Sequence, residues 1–180
     1  LQSNVQPGDV RFVDRNHDGQ INDKDKVNLG NGTPDFTLGL NLGFVYKGFD
    51  FSIVANGAFG QQIVQSYRNH TRPTPNYTTA ILDRWHGEGT SNRIPRVTDS
   101  NINYQFSDLF IQNGDYLRLS TLTLGYDFAK LFKGKAVSQA RLYFQVQNLF
   151  IITGYDGMDP EIGFGSSNNS WVSGLDLSLI

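Results

Sequence analysis

Between Asp14 and Asp25 the chain sets oxygen-bearing side chains at Asp14, Asn16, Asp18, Asn22 and Asp25, with Gly19 and Ile21 among them. Counted from Asp14, these fall at positions 1, 3, 5, 9 and 12 of the twelve-residue calcium loop, with glycine at 6 and an aliphatic residue at 8. A hard cation such as calcium takes about 6 to 8 oxygen ligands, and the alternation turns successive side chains inward while glycine permits the sharp turn. In this reading Asp14, Asn16 and Asp18 bind through side chains, Gln20 through its carbonyl, Asn22 directly or through water, and Asp25 last. Asp25 is a shorter arm than the usual Glu. The competing reading is a metal-free polar turn in which Asp and Asn cap their own backbone. Neither flank has a helical pattern, so a calcium ion here is expected to be a structural cofactor that pins a loop.

Other residues carry weaker signals. Trp85, in Arg84-Trp85-His86-Gly87-Glu88-Gly89, is a candidate ligand contact that could stack on a sugar ring, against the alternative of packing within its loop. His17, His70 and His86 are too scattered for a metal triad. Asp108, Asp115, Asp156, Asp159 and Glu161 could supply an acid and base pair, but nothing in the sequence sets their separation. No catalytic residue is assigned, and the protein is not expected to be an enzyme. A net charge of -2 gives no basic surplus for a phosphate backbone, so nucleic acid is not an expected partner. The absence of cysteine removes disulfides and thiolate chemistry from this chain.

The elements that must position these residues alternate with a period of two. From Phe36 the residues Phe36, Leu38, Leu40, Leu42, Phe44 and Tyr46 share one face, against Thr37, Gly39, Asn41 and Gly43. After Lys47-Gly48 the pattern resumes with Phe49, Phe51, Ile53 and Ala55, which predicts a hairpin over 36–59 closed by a two-residue turn. A further strand is expected over Tyr116 to Phe128, with a bulge near Ser120 because Leu117 and Leu119 are out of step with Leu122, Leu124 and Tyr126. Arg141 to Ile151 and Leu175 to Leu179 complete the set.

The first four strands are longer than the about 5 or 6 residues usual in globular proteins. One face is apolar and the other polar, as where lipid lies on one side and a wet lumen on the other. A soluble antiparallel β-sandwich also alternates, and periodicity alone leaves both open. Charged residues at 18% and aromatics at 13% suit a wall between lipid and water. No apolar run reaches the about 20 residues of a transmembrane helix. The chain opens on Leu1 with no signal-peptide pattern, and its connections over 60–115 and 153–171 read as long loops.

Pro7-Gly8-Asp9-Val10-Arg11-Phe12, the Asp14–Gly19 run and Gly30-Asn31-Gly32-Thr33-Pro34-Asp35-Phe36 form a block that resembles the C-terminal part of SusC/RagA-family TonB-linked outer-membrane transporters. Tyr46-Lys47-Gly48-Phe49-Asp50, Gly114-Asp115-Tyr116-Leu117-Arg118-Leu119, Thr123-Leu124-Gly125-Tyr126, Gln147-Asn148-Leu149-Phe150 and Gly157-Met158-Asp159-Pro160-Glu161 follow in the same order. The resemblance implies an all-β fragment of a barrel of about 22 strands, with the plug, the TonB-contacting segment and the last strand outside this chain. It also implies the outer membrane of a Gram-negative bacterium, with outer-membrane lipid around the barrel. Import of oligosaccharides or peptides, a SusD-like surface lipoprotein as partner and energy delivered through TonB complete the picture. The alternative class is a secreted calcium-dependent carbohydrate-binding sandwich.

Overall fold

The computed structural model describes residues 2–64, 79–99, 101–129, 140–157, 159–161 and 177–178. His70, Trp171 and most of the expected last strand, including Leu175 and Leu179, lie outside the described residues. Four long strands, β1 (Phe36–Tyr46), β2 (Phe49–Phe59), β5 (Tyr116–Asp127) and β6 (Arg141–Thr153), form an antiparallel sheet in the order β1-β2-β5-β6. Three short strands, β3 (Gln62–Val64), β4 (Ile111–Asn113) and β7 (Leu177–Ser178), make a second sheet in the order β4-β3-β7. No α-helix occurs among the described residues, and no helix there is long and apolar enough to cross a membrane.

The hairpin has the expected bounds. Lys47 and Gly48 both take positive φ, +47° and +94°, as a two-residue turn matched to strand twist requires. Phe36 pairs with Phe59 and Tyr46 with Phe49, so the even residues of β1 lie beside the odd residues of β2. In β5 the register with β2 shifts by one residue, since Val54 faces Thr121 but Ala55 faces Leu119. Ser120 is the extra residue. The bulge therefore brings Leu117 and Leu119 onto the same face as Leu122, Leu124 and Tyr126. Strand β6 follows with its own irregularity, where Leu119 pairs with Phe150 and Thr121 with Gln147. Asn148, inside that irregularity, has φ +50°.

The result is one continuous apolar face across four strands, and it is uncovered. Phe44 is 63% exposed, Phe144 67% and Ile152 60%, while the buried apolar residues are few: Ala55, Ala58, Ile63, Val64, Phe110 and Tyr155. Transferring a Leu or Phe side chain out of water is worth about 1.5–3 kcal/mol, so a face of this size is stable only against an apolar medium. A sandwich would bury this face under a second sheet; here the described residues leave it open.

Contacts divide the chain into two units, Leu1–Leu29 with Gln65–Ile111, and Gly30–Val64 with Gln112–Ile180. This departs from the sequential division at 35, 59 and 115. The region expected to be one long loop over 60–115 contains β3, β4 and several short 3-10 turns, and its ends belong to different units.

Candidate functional site

In the first unit, the loop from Asp14 to Asp25 is closed by its own side chains. Asp14 Oδ2 accepts the Gly19 N–H at 2.8 Å, Asn16 Oδ1 that of Asp18 at 3.0 Å, and Asp18 Oδ1 that of Gln20 at 2.8 Å. Asn22 Oδ1 accepts the Lys24 N–H at 2.9 Å and caps the short 3-10 turn Asp23–Asp25. Asp25 reaches back to accept the N–H groups of Asn22 and Arg15, both at 2.8 Å. Those two backbone bonds hold the Asp25 carboxyl below its ordinary pKa and keep it ionised. Gly19 takes φ +80°, the left-handed conformation that the sixth position requires.

One oxygen in this loop is left over. Asp14 Oδ1 is shielded from solvent and has no hydrogen-bond partner, a condition that generally costs about 1–3 kcal/mol. A cation would relieve it. The remaining donors, Asn16, Asp18, Gln20, Asn22 and Asp25, are all oxygens, and an oxygen that accepts one backbone N–H keeps a second lone pair. No group of three or more His, Asp or Glu side chains suited to a metal forms among the described residues. A cation here would therefore lean on the amide oxygens of Asn16 and Asn22 and the Gln20 carbonyl as much as on carboxylates. By donor chemistry and by the orphaned oxygen, the residues fit a hard cation.

Trp85 lies in the same unit, with its indole packed on the backbone of Gly8 and its N–H donated to the Ile94 carbonyl at 2.9 Å through the main chain. Part of the ring stays exposed. Beside it, Asp9 is 1% exposed and paired with Arg96 Nε at 2.7 Å, while Asn103 donates to the same carboxylate at 3.0 Å. The Arg96 hydrogen bond, outweighing the cost of burial, holds the Asp9 carboxyl below its usual range. His86 turns onto the Arg84 carbonyl, and His17 occupies a positive-φ position in the candidate calcium loop.

In the second unit, the loop carboxylates do not meet as an acid and base pair. Asp115 accepts from Gly60 N–H at 2.6 Å, and Asp156 donates its N–H to Gln112 at 3.1 Å. Asp159 and Glu161 converge on Arg118 of β5, which the sequence did not single out. Arg118 Nη2 donates to both Asp159 oxygens at 2.7 and 2.8 Å. Its Nε lies 2.6 Å from Glu161 Oε2 as an ion pair without hydrogen-bond geometry. Glu161 Oε1 also accepts from Asn56 at 2.6 Å and from Tyr116 at 3.0 Å, and Asn56 in turn meets Ser120. A lone Arg at a polar register position of an alternating strand was the available signal. A second pair, Asp50 with Arg141 Nε at 2.9 Å, straddles Gly125 on the strand between them, where a Cβ would strike the Asp50 carboxylate.

No family model matches the chain. It is 32% identical over 177 residues to TonB-dependent receptor P3 of Formosa agariphila, covering 94% of this chain and 17% of that protein. It is 31% identical over 178 residues to TonB-dependent receptor SusC of Bacteroides thetaiotaomicron, covering 98% of this chain and 18% of that protein. The structure of the RagAB peptide transporter superposes with a TM-score of 0.59 at 25% identity, over 72% of this chain and 15% of that one. The chain belongs to the SusC/RagA group of TonB-dependent receptors. It spans less than a fifth of the length of these relatives. Receptors of this group are proteins of the Gram-negative outer membrane, which supplies the apolar medium that the open face of the sheet requires. The chain is thus part of an outer-membrane barrel wall, and the relatives are receptors and transporters rather than enzymes.

Proposed function

We propose that this chain is part of an importer that carries oligosaccharides or peptides across the outer membrane, driven through TonB and served by a SusD-like surface lipoprotein. The observation that carries the reading is the two-sided sheet: exposed Leu and Phe on one face, and Asn56, Ser120, Arg118, Thr123 and Gln145 on the other, in a chain similar to SusC along nearly its whole length. A polar wall with fixed side chains suits passage of a hydrated, hydrogen-bonding solute. Trp85 is the residue expected to stack on a sugar if the solute is a glycan. The test is deletion of the receptor gene in the host, with growth on oligosaccharides and on peptides as sole carbon source. Loss on one and not the other assigns the class; growth unchanged on both would overturn the reading. Co-purification of a lipoprotein with the tagged receptor tests the partnership.

We further propose that Asp14, Asn16, Asp18, Gln20, Asn22 and Asp25 hold a structural calcium ion. Its role would be to fix the loop, with Asp14 Oδ1 receiving the donor it lacks. Calorimetric titration of calcium into the metal-stripped receptor in detergent should show a site that Asp18→Ala abolishes. Equal heats from wild type and variant would reduce the loop to a metal-free turn.

A further inference from the structure

We infer that the segment after β6, residues 154–161, is a latch on the polar wall that lifts when a carboxylate of a passing solute replaces its own. The inference rests on the reading of that wall as the solute path. The receiving site is built on two neighbouring strands, with Asn56 of β2 paired in register to Arg118 of β5, and Tyr116 two residues before it on the same face. Into this site the returning segment delivers two carboxylates separated by one residue, Asp159 and Glu161. Every donor available there is used: the guanidinium on both acids, the Tyr116 hydroxyl and the Asn56 amide on Glu161.

The chemistry of the contact determines how it opens. The Arg118 side chain is only 14% exposed, and a charge so shielded is strongly disfavoured without a counter-ion. Lifting the segment into plain water would strand it. A solute bearing carboxylates at similar spacing would instead leave the pairing and the net charge of the site unchanged, so exchange costs far less than opening. The other attachments of the segment are light by comparison. The Gln61 amide donates to the Pro160 carbonyl at a long 3.3 Å, and Gln112 meets Asp156 at the exposed edge. The site accordingly reads as one for acidic solutes, occupied in cis by the chain's own Asp-Pro-Glu.

The test uses the purified receptor in detergent with spin labels at Asn41→Cys and Asp156→Cys, positions outside the clamp in a chain with no cysteine of its own. Without solute, the interlabel distances should form one narrow population. The tripeptide Asp-Pro-Glu should add a second population with saturable dependence, whereas Asn-Pro-Gln amide at the same concentrations should add none. Glutarate is the small-molecule arm: release by both anions assigns any dicarboxylate, and release by the tripeptide alone assigns an acidic peptide. Arg118→Met should show the released population without solute and no further response. Tyr116→Phe, which leaves the charges in place, should lower the tripeptide concentration needed several-fold and decides the matter if Arg118→Met does not fold. A distance distribution indifferent to all probes, or equal release by the neutral tripeptide, would overturn the inference. The readout is a distance and not uptake, so a receptor that imports nothing would still show release, and failed release leaves the import reading standing.

Discussion

The four-stranded sheet and the loop from Asp14 to Asp25 solve the same problem, where the backbone's hydrogen bonds go, in opposite ways. In the sheet the ladder pairs main chain with main chain, so side chains are free to divide by polarity, and Leu42 and Asn41 differ only in which face they take. In the loop there is no ladder, and Asp14, Asn16, Asp18, Asn22 and Asp25 spend their oxygens on backbone N–H groups. The sheet therefore tolerates changes of side chain within one polarity class and the loop tolerates almost none.

The largest effect that would break this contrast lies on the apolar face. Leu42→Arg should destabilise the receptor by about 2–4 kcal/mol in lipid, whereas Asn41→Arg, one residue away, should stay within about 0.5 kcal/mol. Urea unfolding in liposomes compares them, and equal losses would mean the two faces are not chemically distinct. Next comes Asp9→Ala, which leaves Arg96 without its counter-ion and should cost the first unit about 3 kcal/mol, read as faster proteolysis within residues 79–110. The same pair gives an acid dependence. Because Arg96 lowers the Asp9 carboxyl in the folded state, its contribution is complete above about pH 4 and is lost as pH falls through the lower folded value. Asp9→Asn should flatten that acid limb in melts taken between about pH 4 and pH 2. A smaller effect is expected at Gly125→Ala, where overpacking should cost about 1 kcal/mol and displace Asp50 from Arg141. A cross-strand disulfide at the same two positions would sharpen the result by restoring the link without charge.

Much of the wall was legible because a period of two repeated over many residues leaves little choice of register. The bounds of the 36–59 hairpin and the Ser120 bulge both follow from side-chain alternation alone. The short strands β3 and β4 were not legible, since three residues carry no period. The convergence of Asp159 and Glu161 on Arg118 was hidden for another reason: the partners lie about forty residues apart, with β6 and its turn between them, and only tertiary pairing closes that distance. Loop spacing announced the oxygens of Asp14 to Asp25, but not that Asp14 alone keeps an unpaired one. The division into two interleaved units also escaped, because neither unit is continuous in sequence.

The bulge at Ser120 has a consequence for assembly. A regular strand can slide by two residues against its neighbour and still keep its faces, so alternation alone permits several near-equivalent alignments. With one supernumerary residue in β5, only a single alignment brings both halves of that strand into phase with β2, and any slip leaves one half inside out. Ser120 thus acts as a keyway during insertion. It rejects misthreaded hairpins before the wall is finished, and it should make the β2–β5 seam a step at which barrel assembly commits.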